Sequence, residues 1–172
     1  MVVRPAVPSD SAAMGDLHVR SWQVAYRGIV PDAILDALSI EARVEFWARA
    51  IGQTATEPSR EVRIWVVEEG GRVVGLATTR ACPDADVPAG TGELHSIYLA
   101  PEAWSRGLGA SLLVAAVADL RERGFAPVVL WVIEANMRGR RFYERTGWAP
   151  DGGRQPIDFD GVLVDEIRYR ID

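Results

Sequence analysis

The chain has 172 residues, a formal net charge of −5 and a single cysteine, Cys82. This length predicts one domain over residues 1–172 with a sizeable core, and the negative charge argues against a nucleic-acid partner. The lone cysteine cannot form an intrachain disulfide and favours the reducing cytoplasm. Because no apolar run reaches membrane-spanning length and Arg4 and Pro5 interrupt the N-terminus, we expect neither a membrane segment nor a signal peptide.

The N-terminal part of the chain is predicted to be mainly helical. A short strand over 2–5 precedes a helix that Ser9 or Asp10 caps and that runs to about residue 27. A second helix covers 31–38, with a proline in its first turn. A third begins after the capping residue Ser39 and reaches about residue 51.

The rest of the chain alternates strands and helices. Residues 62–68 and 72–80 are predicted to form a hairpin, and a loop rich in Pro, Asp and Gly leads to a strand over 92–100. The remaining elements, in chain order, are a helix over 108–123, a buried strand over 127–133, a helix over 136–146, and strands near 148–154 and 162–171.

The turn over residues 104–110, Trp-Ser-Arg-Gly-Leu-Gly-Ala, is the strongest functional signal. Gly107 and Gly109 leave the backbone open to close approach, and the free N–H groups at the start of the following helix favour a phosphate. A Walker loop is excluded because no lysine follows Gly109, and a dinucleotide fingerprint would need a small residue where Leu112 stands. The turn therefore predicts a phosphate cradle of another kind, with a plain strand-to-helix turn as the alternative.

Further motifs follow this turn in a recognisable order. They are Arg106-Gly107-Leu108-Gly109-Ala110, then Asn136, then Phe142-Tyr143-Glu144-Arg145-Thr146-Gly147-Trp148. The run from Glu93 to Trp148 resembles the core of the GNAT superfamily of acetyl-coenzyme A-dependent N-acetyltransferases. Trp104 departs from the family pattern, which prefers Gln or Arg there, and so does Gly139, where Ala is usual. The resemblance implies an α/β (α+β) GNAT-like fold, with a mixed, mostly antiparallel sheet of about seven strands, a splayed parallel pair and flanking helices.

The resemblance also implies acetyl-coenzyme A as cosubstrate, without a metal. Pantetheine would lie along the backbones of Ile97, Tyr98 and Leu99, where an N–H near Leu99 would stabilise the developing oxyanion. Asn136 would bond the pantetheine arm or a water, or cap the helix that follows it. Residues implied to cradle the pyrophosphate are Ser105, Arg106, Gly107, Leu108, Gly109 and Ala110. Arg106, or one of the arginines 138, 140, 141 and 145, would reach the adenosine 3′-phosphate.

Acetyl transfer to an amine requires two proton movements. Tyr143 matches the family tyrosine that protonates the departing thiolate; its alternative role is to anchor the short helix. Glu93 is the candidate base, for which partial burial must raise its pKa, and a solvated strand-edge carboxylate is the alternative. His95, two residues on along the same strand, is the second candidate base.

The acceptor end is the least defined part of the sequence. Trp22 and Tyr26 share a helix face and wall either an acceptor pocket or the core. Four aspartates, Asp32, Asp36, Asp84 and Asp86, either line a mouth that attracts ammonium groups or are solvated loop charge. We expect acetyl transfer to a primary amine of a small molecule or peptide, by a monomer or homodimer. The alternative function is a non-catalytic domain that binds or senses acyl-coenzyme A.

Overall fold

A computed structural model of the protein describes residues 1–56 and 62–172. The helices are α1 (Ser11–Ala25), α2 (Asp32–Asp36), α3 (Ile40–Thr56), α4 (Leu108–Glu122) and α5 (Met137–Arg145). The strands are β1 (Val2–Pro5), β2 (Arg63–Glu69), β3 (Arg72–Ala81), β4 (Gly92–Leu99), β5 (Val128–Ile133), β6 (Ala149–Phe159) and β7 (Val162–Ile171).

The seven strands form one sheet in the order β1-β2-β3-β4-β5-β7-β6. Neighbouring strands are antiparallel except β4 and β5, which are parallel. Within the described chain, β4 and β5 pair at Gly92–Val128 and Glu93–Val129 and then separate. The predicted mixed sheet with a splayed parallel pair and flanking helices is therefore confirmed.

Helices α1 and α4 cover opposite faces of this sheet. The Tyr98 ring lies 4.6 Å from the His18 ring of α1, whereas a Cβ on Gly109 of α4 would lie 3.3 Å from the Leu99 side chain. Since adjacent residues of a strand point to opposite faces, the two helices must lie on different sides of β4. Helix α3 then packs on α1, where the small residue Gly15 admits the Val44 backbone.

The first helix differs from its prediction at both ends. It ends at Ala25, two residues earlier than expected, where Tyr26 leaves the helical conformation. Asp10 does not cap it with its side chain. The Asp10 carboxylate instead accepts a hydrogen bond from the Val7 N–H at 2.8 Å and forms an ion pair with Arg4 at 2.7 Å. A strong cationic partner thus takes the oxygen atoms that a helix cap would use.

Two other boundaries extend beyond their predictions, while a predicted cap is confirmed. Ser39 Oγ accepts a hydrogen bond from the Ala42 N–H at 3.1 Å, and the helix it caps continues to Thr56. Strand β6 continues to Phe159 because it pairs with β7 as far as Phe159–Val162. The sequence does not predict this longer strand, because its Pro, Gly and Asp residues are typical of turns. Within the part of the chain that the structure describes, no helix is both long and apolar enough to cross a membrane.

Candidate active site

A cavity of about 990 Å³ lies where β4 and β5 separate. Most of the predicted site residues line it, which brings the expected cofactor, proton-transfer and acceptor groups into one space. These residues are Trp22, Tyr26, Glu93, His95, Ile97, Tyr98, Leu99, Ser105, Gly107, Gly109, Ala110, Asn136 and Tyr143. Two predicted residues, Arg106 and Leu108, do not line the cavity, since Leu108 is buried in the core and Arg106 forms an ion pair with Glu69 at 2.8 Å.

The predicted phosphate turn has the geometry of an open cradle. Gly107 is the residue before α4 and has a φ of 81°, in the left-handed region that glycine tolerates best. A Cβ there would meet nothing within 4 Å, so the turn is open on the cavity side. The first N–H groups of a helix lack intrahelical partners, so the start of α4 can donate to a phosphate. The cradle fits the pyrophosphate of coenzyme A.

Trp104 links this turn to β4 and supports a cation. Its indole Nε1 donates a hydrogen bond to the Leu99 carbonyl at 3.0 Å, and the Arg138 guanidinium lies 3.6 Å from the centre of its ring. Burial lowers the pKa of Arg138, but an arginine remains charged near neutral pH. Arg138 therefore places a positive charge beside the phosphate turn, whereas the Arg106 side chain is engaged by Glu69.

Glu93 is buried in an ion-pair network rather than solvated at the strand edge. Its side chain is 4% exposed and accepts hydrogen bonds from Arg80 Nε at 2.5 Å and Nη2 at 3.2 Å. Burial by itself would raise the pKa of Glu93, but the hydrogen bonds from His95 and Arg80 hold it below its usual range. The expectation of a raised pKa for this carboxyl is wrong, because the sequence does not show that Arg80 lies opposite it on β3.

His95 lies beside Glu93 at an irregularity in the sheet. The register of β3 against β4 shifts between Thr78 and Thr79, which face Ser96 and Leu94, so His95 is the extra residue of a β-bulge. Its Nδ1 lies 3.2 Å from Glu93 Oε1, and its side chain is 52% exposed. The carboxylate can thus orient the imidazole of this half-exposed side chain.

Tyr143 is held in a buried aromatic cluster at the cavity wall. Its ring centre lies 5.2 Å from that of Phe142, 6.2 Å from Tyr169 and 6.3 Å from Trp148. Burial raises the pKa of Tyr143, and Tyr98 raises it further. The phenol therefore stays protonated near neutral pH, as a proton donor must.

Asn136 caps α5, as one of its two predicted roles required. Its Oδ1 accepts a hydrogen bond from the Gly139 N–H at 2.9 Å. The residue also lines the cavity in which pantetheine is expected, so the cap does not exclude its other predicted role.

The four aspartates do not present free charge at a mouth. Asp84 and Asp86 pair with the buried Arg168 at 3.0 Å and 2.8 Å. Asp32 and Asp36 both pair with Arg27, at 3.1 Å and 2.8 Å. Arginine partners from distant or neighbouring segments therefore compensate these carboxylates.

Several other cavity residues were not found from the sequence, among them Arg80, Gln155, Phe159 and Glu166. Arg138, one of the arginines predicted to reach the adenosine 3′-phosphate, also lines the cavity. Phe159 and Glu166 have no local motif, because the pairing of β6 with β7 and of β7 with β5 brings them to the cavity.

Known proteins share this architecture and sequence. The solved structure of PaiA N-acetyltransferase from Thermoplasma acidophilum, in complex with coenzyme A, superposes with a TM-score of 0.75 at 19% identity, over 96% of each chain. A probable N-acetyltransferase of Mycobacterium tuberculosis is 27% identical over 98% of this chain and 92% of its own. An uncharacterized N-acetyltransferase of Bacillus subtilis is 30% identical over 79% of this chain and 73% of its own.

The family model described as "Acetyltransferase (GNAT) family" matches residues 21–148, well over half of the chain. This range contains the splayed strands, the phosphate turn, Asn136 and Tyr143. These comparisons favour the enzyme over the non-catalytic alternative. The chain therefore belongs to the GNAT acetyltransferase family and is an acetyltransferase that uses acetyl-coenzyme A as its cosubstrate.

Proposed function

We propose that residues 1–172 are one domain that acetylates the primary amine of a small molecule or peptide by direct attack within the 990 Å³ cavity. The observation that carries this proposal is the arrangement of the cavity. An open phosphate turn lies at one part of its wall, and Glu93, His95 and Tyr143 line the same space. Bound acetyl-coenzyme A would supply the thioester whose acetyl group is transferred.

The backbone of β4 and the start of α4 would hold this cosubstrate. Beyond Glu93, β4 has no β5 partner in the described pairing, so the backbones of Ile97, Tyr98 and Leu99 can bond pantetheine as an added strand does. An N–H near Leu99 would stabilise the oxyanion. The backbone from Ser105 to Ala110 would bind the pyrophosphate, and Arg138 supports a further phosphate contact.

An ammonium acceptor loses two protons during the reaction, and the cavity offers a path for each. One must leave before attack, and Glu93 and His95 form the pair we assign to it. Since the pKa of Glu93 is held low by His95 and Arg80 despite its burial, the geometry favours Glu93 as the orienting carboxylate and His95 as the group that passes the proton to solvent. As the intermediate collapses and the carbon–sulfur bond breaks, Tyr143 is the proposed donor of a proton to the departing thiolate, and the second nitrogen proton restores the Tyr143 phenol.

Thiol release from acetyl-coenzyme A in the presence of single amines tests this function. We expect release that depends on both the amine and the enzyme, together with calorimetric binding of coenzyme A. Binding without release across amines, amino acids and peptides would support the non-catalytic alternative instead.

The reducing environment favoured by the lone Cys82 supports action in the cytoplasm.

The choice of base is tested by the pH profile of kcat/KM. We expect His95→Gln to remove the acidic limb of the profile and Glu93→Gln to shift it and lower the plateau. An acceptor of low pKa run in parallel separates the ionisation of the amine from that of the enzyme. A limb that disappears in Glu93→Gln and persists in His95→Gln would assign the base to Glu93.

A further inference from the structure

Among residues 1–56 and 62–172, no arginine forms an ion pair with one carboxylate of the cavity, that of Glu166. Glu166 lies on β7, is half-buried and lines the same space as Glu93 and His95. Within residues 1–56 and 62–172, its one hydrogen-bond partner is the Gln155 amide, at 3.3 Å. A half-buried carboxylate without a countercharge is costly unless a ligand supplies one.

The other acidic groups of the cavity are already compensated. Glu93 is bound by Arg80 through two hydrogen bonds, and Asp84 is paired with Arg168. Burial raises the pKa of Glu166, the Gln155 hydrogen bond lowers it, the charge of Glu93 raises it and the charge of a protonated His95 lowers it. Glu166 lines the same cavity as Glu93 and His95, the proposed proton-transfer pair, and therefore borders the space in which the amine must react.

Aromatic side chains line the same cavity as this carboxylate. Tyr26 is one of them, and burial raises the pKa of its hydroxyl. The Trp22 ring lies 5.1 Å from that of Tyr26 and 5.8 Å from that of Phe159. We name Trp22, Tyr26 and Phe159 the aromatic wall; all three line the cavity.

We propose that Glu166 and the aromatic wall select the acceptor, which is a small primary amine with an aromatic or bulky apolar group and no carboxylate. Its ammonium group pairs with Glu166 and its apolar part packs on the aromatic wall. An acceptor with its own carboxylate is disfavoured, because that group would be repelled by the Glu166 carboxylate, with which no arginine of the described residues forms an ion pair. This inference rests on the proposed function.

Three acceptors separate the effect of the aromatic ring from the effect of a carboxylate on the acceptor. Phenethylamine has both features, phenylalanine adds a carboxylate to it, and ethylamine removes the ring. We expect kcat/KM for phenethylamine to exceed that of either other amine by roughly tenfold or more. Comparable or higher kcat/KM for phenylalanine or ethylamine would overturn the proposal.

Glu166→Gln tests the carboxylate itself, with Asp165→Asn as the matched control. Asp165 is the preceding residue of β7 and is exposed, so its change removes the same charge outside the cavity. We expect Glu166→Gln to raise the KM for phenethylamine roughly tenfold and to reduce the discrimination against phenylalanine. The coenzyme A Kd and the thermal midpoint should match those of Asp165→Asn, which shows that the variant is folded.

The two proposals fail in different ways. If none of the amines in the wider screen supports thiol release by the wild-type protein, the proposed function fails. If it acetylates amines but Glu166→Gln leaves the phenethylamine KM and the discrimination unchanged, the function stands and the role of Glu166 is refuted.

Discussion

Replacing Gly107 by alanine separates the cost of backbone strain from the loss of a phosphate site. Gly107 and Gly124 flank the same helix, α4, with φ values of 81° and 87°, and a Cβ at either would meet nothing within 4 Å. Each change to alanine therefore costs a similar amount of stability, roughly 1–2 kcal/mol, for an L-residue in the left-handed region. Gly107 lines the cavity and Gly124 does not. Gly124→Ala is thus a control with matched strain.

We expect both variants to lose this free energy of unfolding in denaturant titrations. Only Gly107→Ala should lose affinity for coenzyme A in calorimetry, by tenfold or more, which is about 1.4 kcal/mol. The reason is that its methyl group projects into the open side of the cradle. Equal Kd values for Gly107→Ala and Gly124→Ala, with both proteins folded, would refute the phosphate cradle.

Three further predictions concern Tyr143, His18 and Arg168. Tyr143→Phe keeps the ring but removes the proton donor, so kcat should fall about 10²-fold with little change in the acetyl-coenzyme A KM; unchanged turnover would make Tyr143 a packing residue. Burial lowers the pKa of His18 from 6.5 to about 3. Between these pH values the unfolded chain binds a proton that the folded chain excludes. The free energy of unfolding therefore decreases as the pH is lowered, by about 2 kcal/mol from pH 7.5 to 5. His18→Phe should remove this part of the slope in unfolding titrations, and an unaltered slope would contradict the assignment. Arg168→Met leaves Asp84 and Asp151 without their cation and should lower the free energy of unfolding in denaturant by roughly 3 kcal/mol. The control Arg170→Met, two residues further along β7 and more exposed, should lower it by under about 1 kcal/mol. Equal losses would argue that the ion pairs of Arg168 do not stabilise the fold.

The local parts of the site could be predicted from the sequence. Gly107 marks the turn because glycine tolerates the positive φ that the turn requires, whereas Gly109 lies within α4 and packs close to Leu99 and Phe142. The caps at Ser39 and Asn136 follow from side chains that reach the N–H group three residues on. The family resemblance spans these same motifs, so it placed the turn, the splayed strands and Tyr143 in the correct order along the chain.

Only the tertiary structure decided the charges and the acceptor end. The pKa of Glu93 is held below its usual range because His95 lies at its side and Arg80 lies opposite it across a strand pair. Glu166 reaches the cavity because β7 inserts between β5 and β6 in the sheet order. Capping and turn formation involve atoms a few residues apart in the chain. A pKa or a pocket wall instead depends on groups far apart in sequence, which come close together only after the strands have paired.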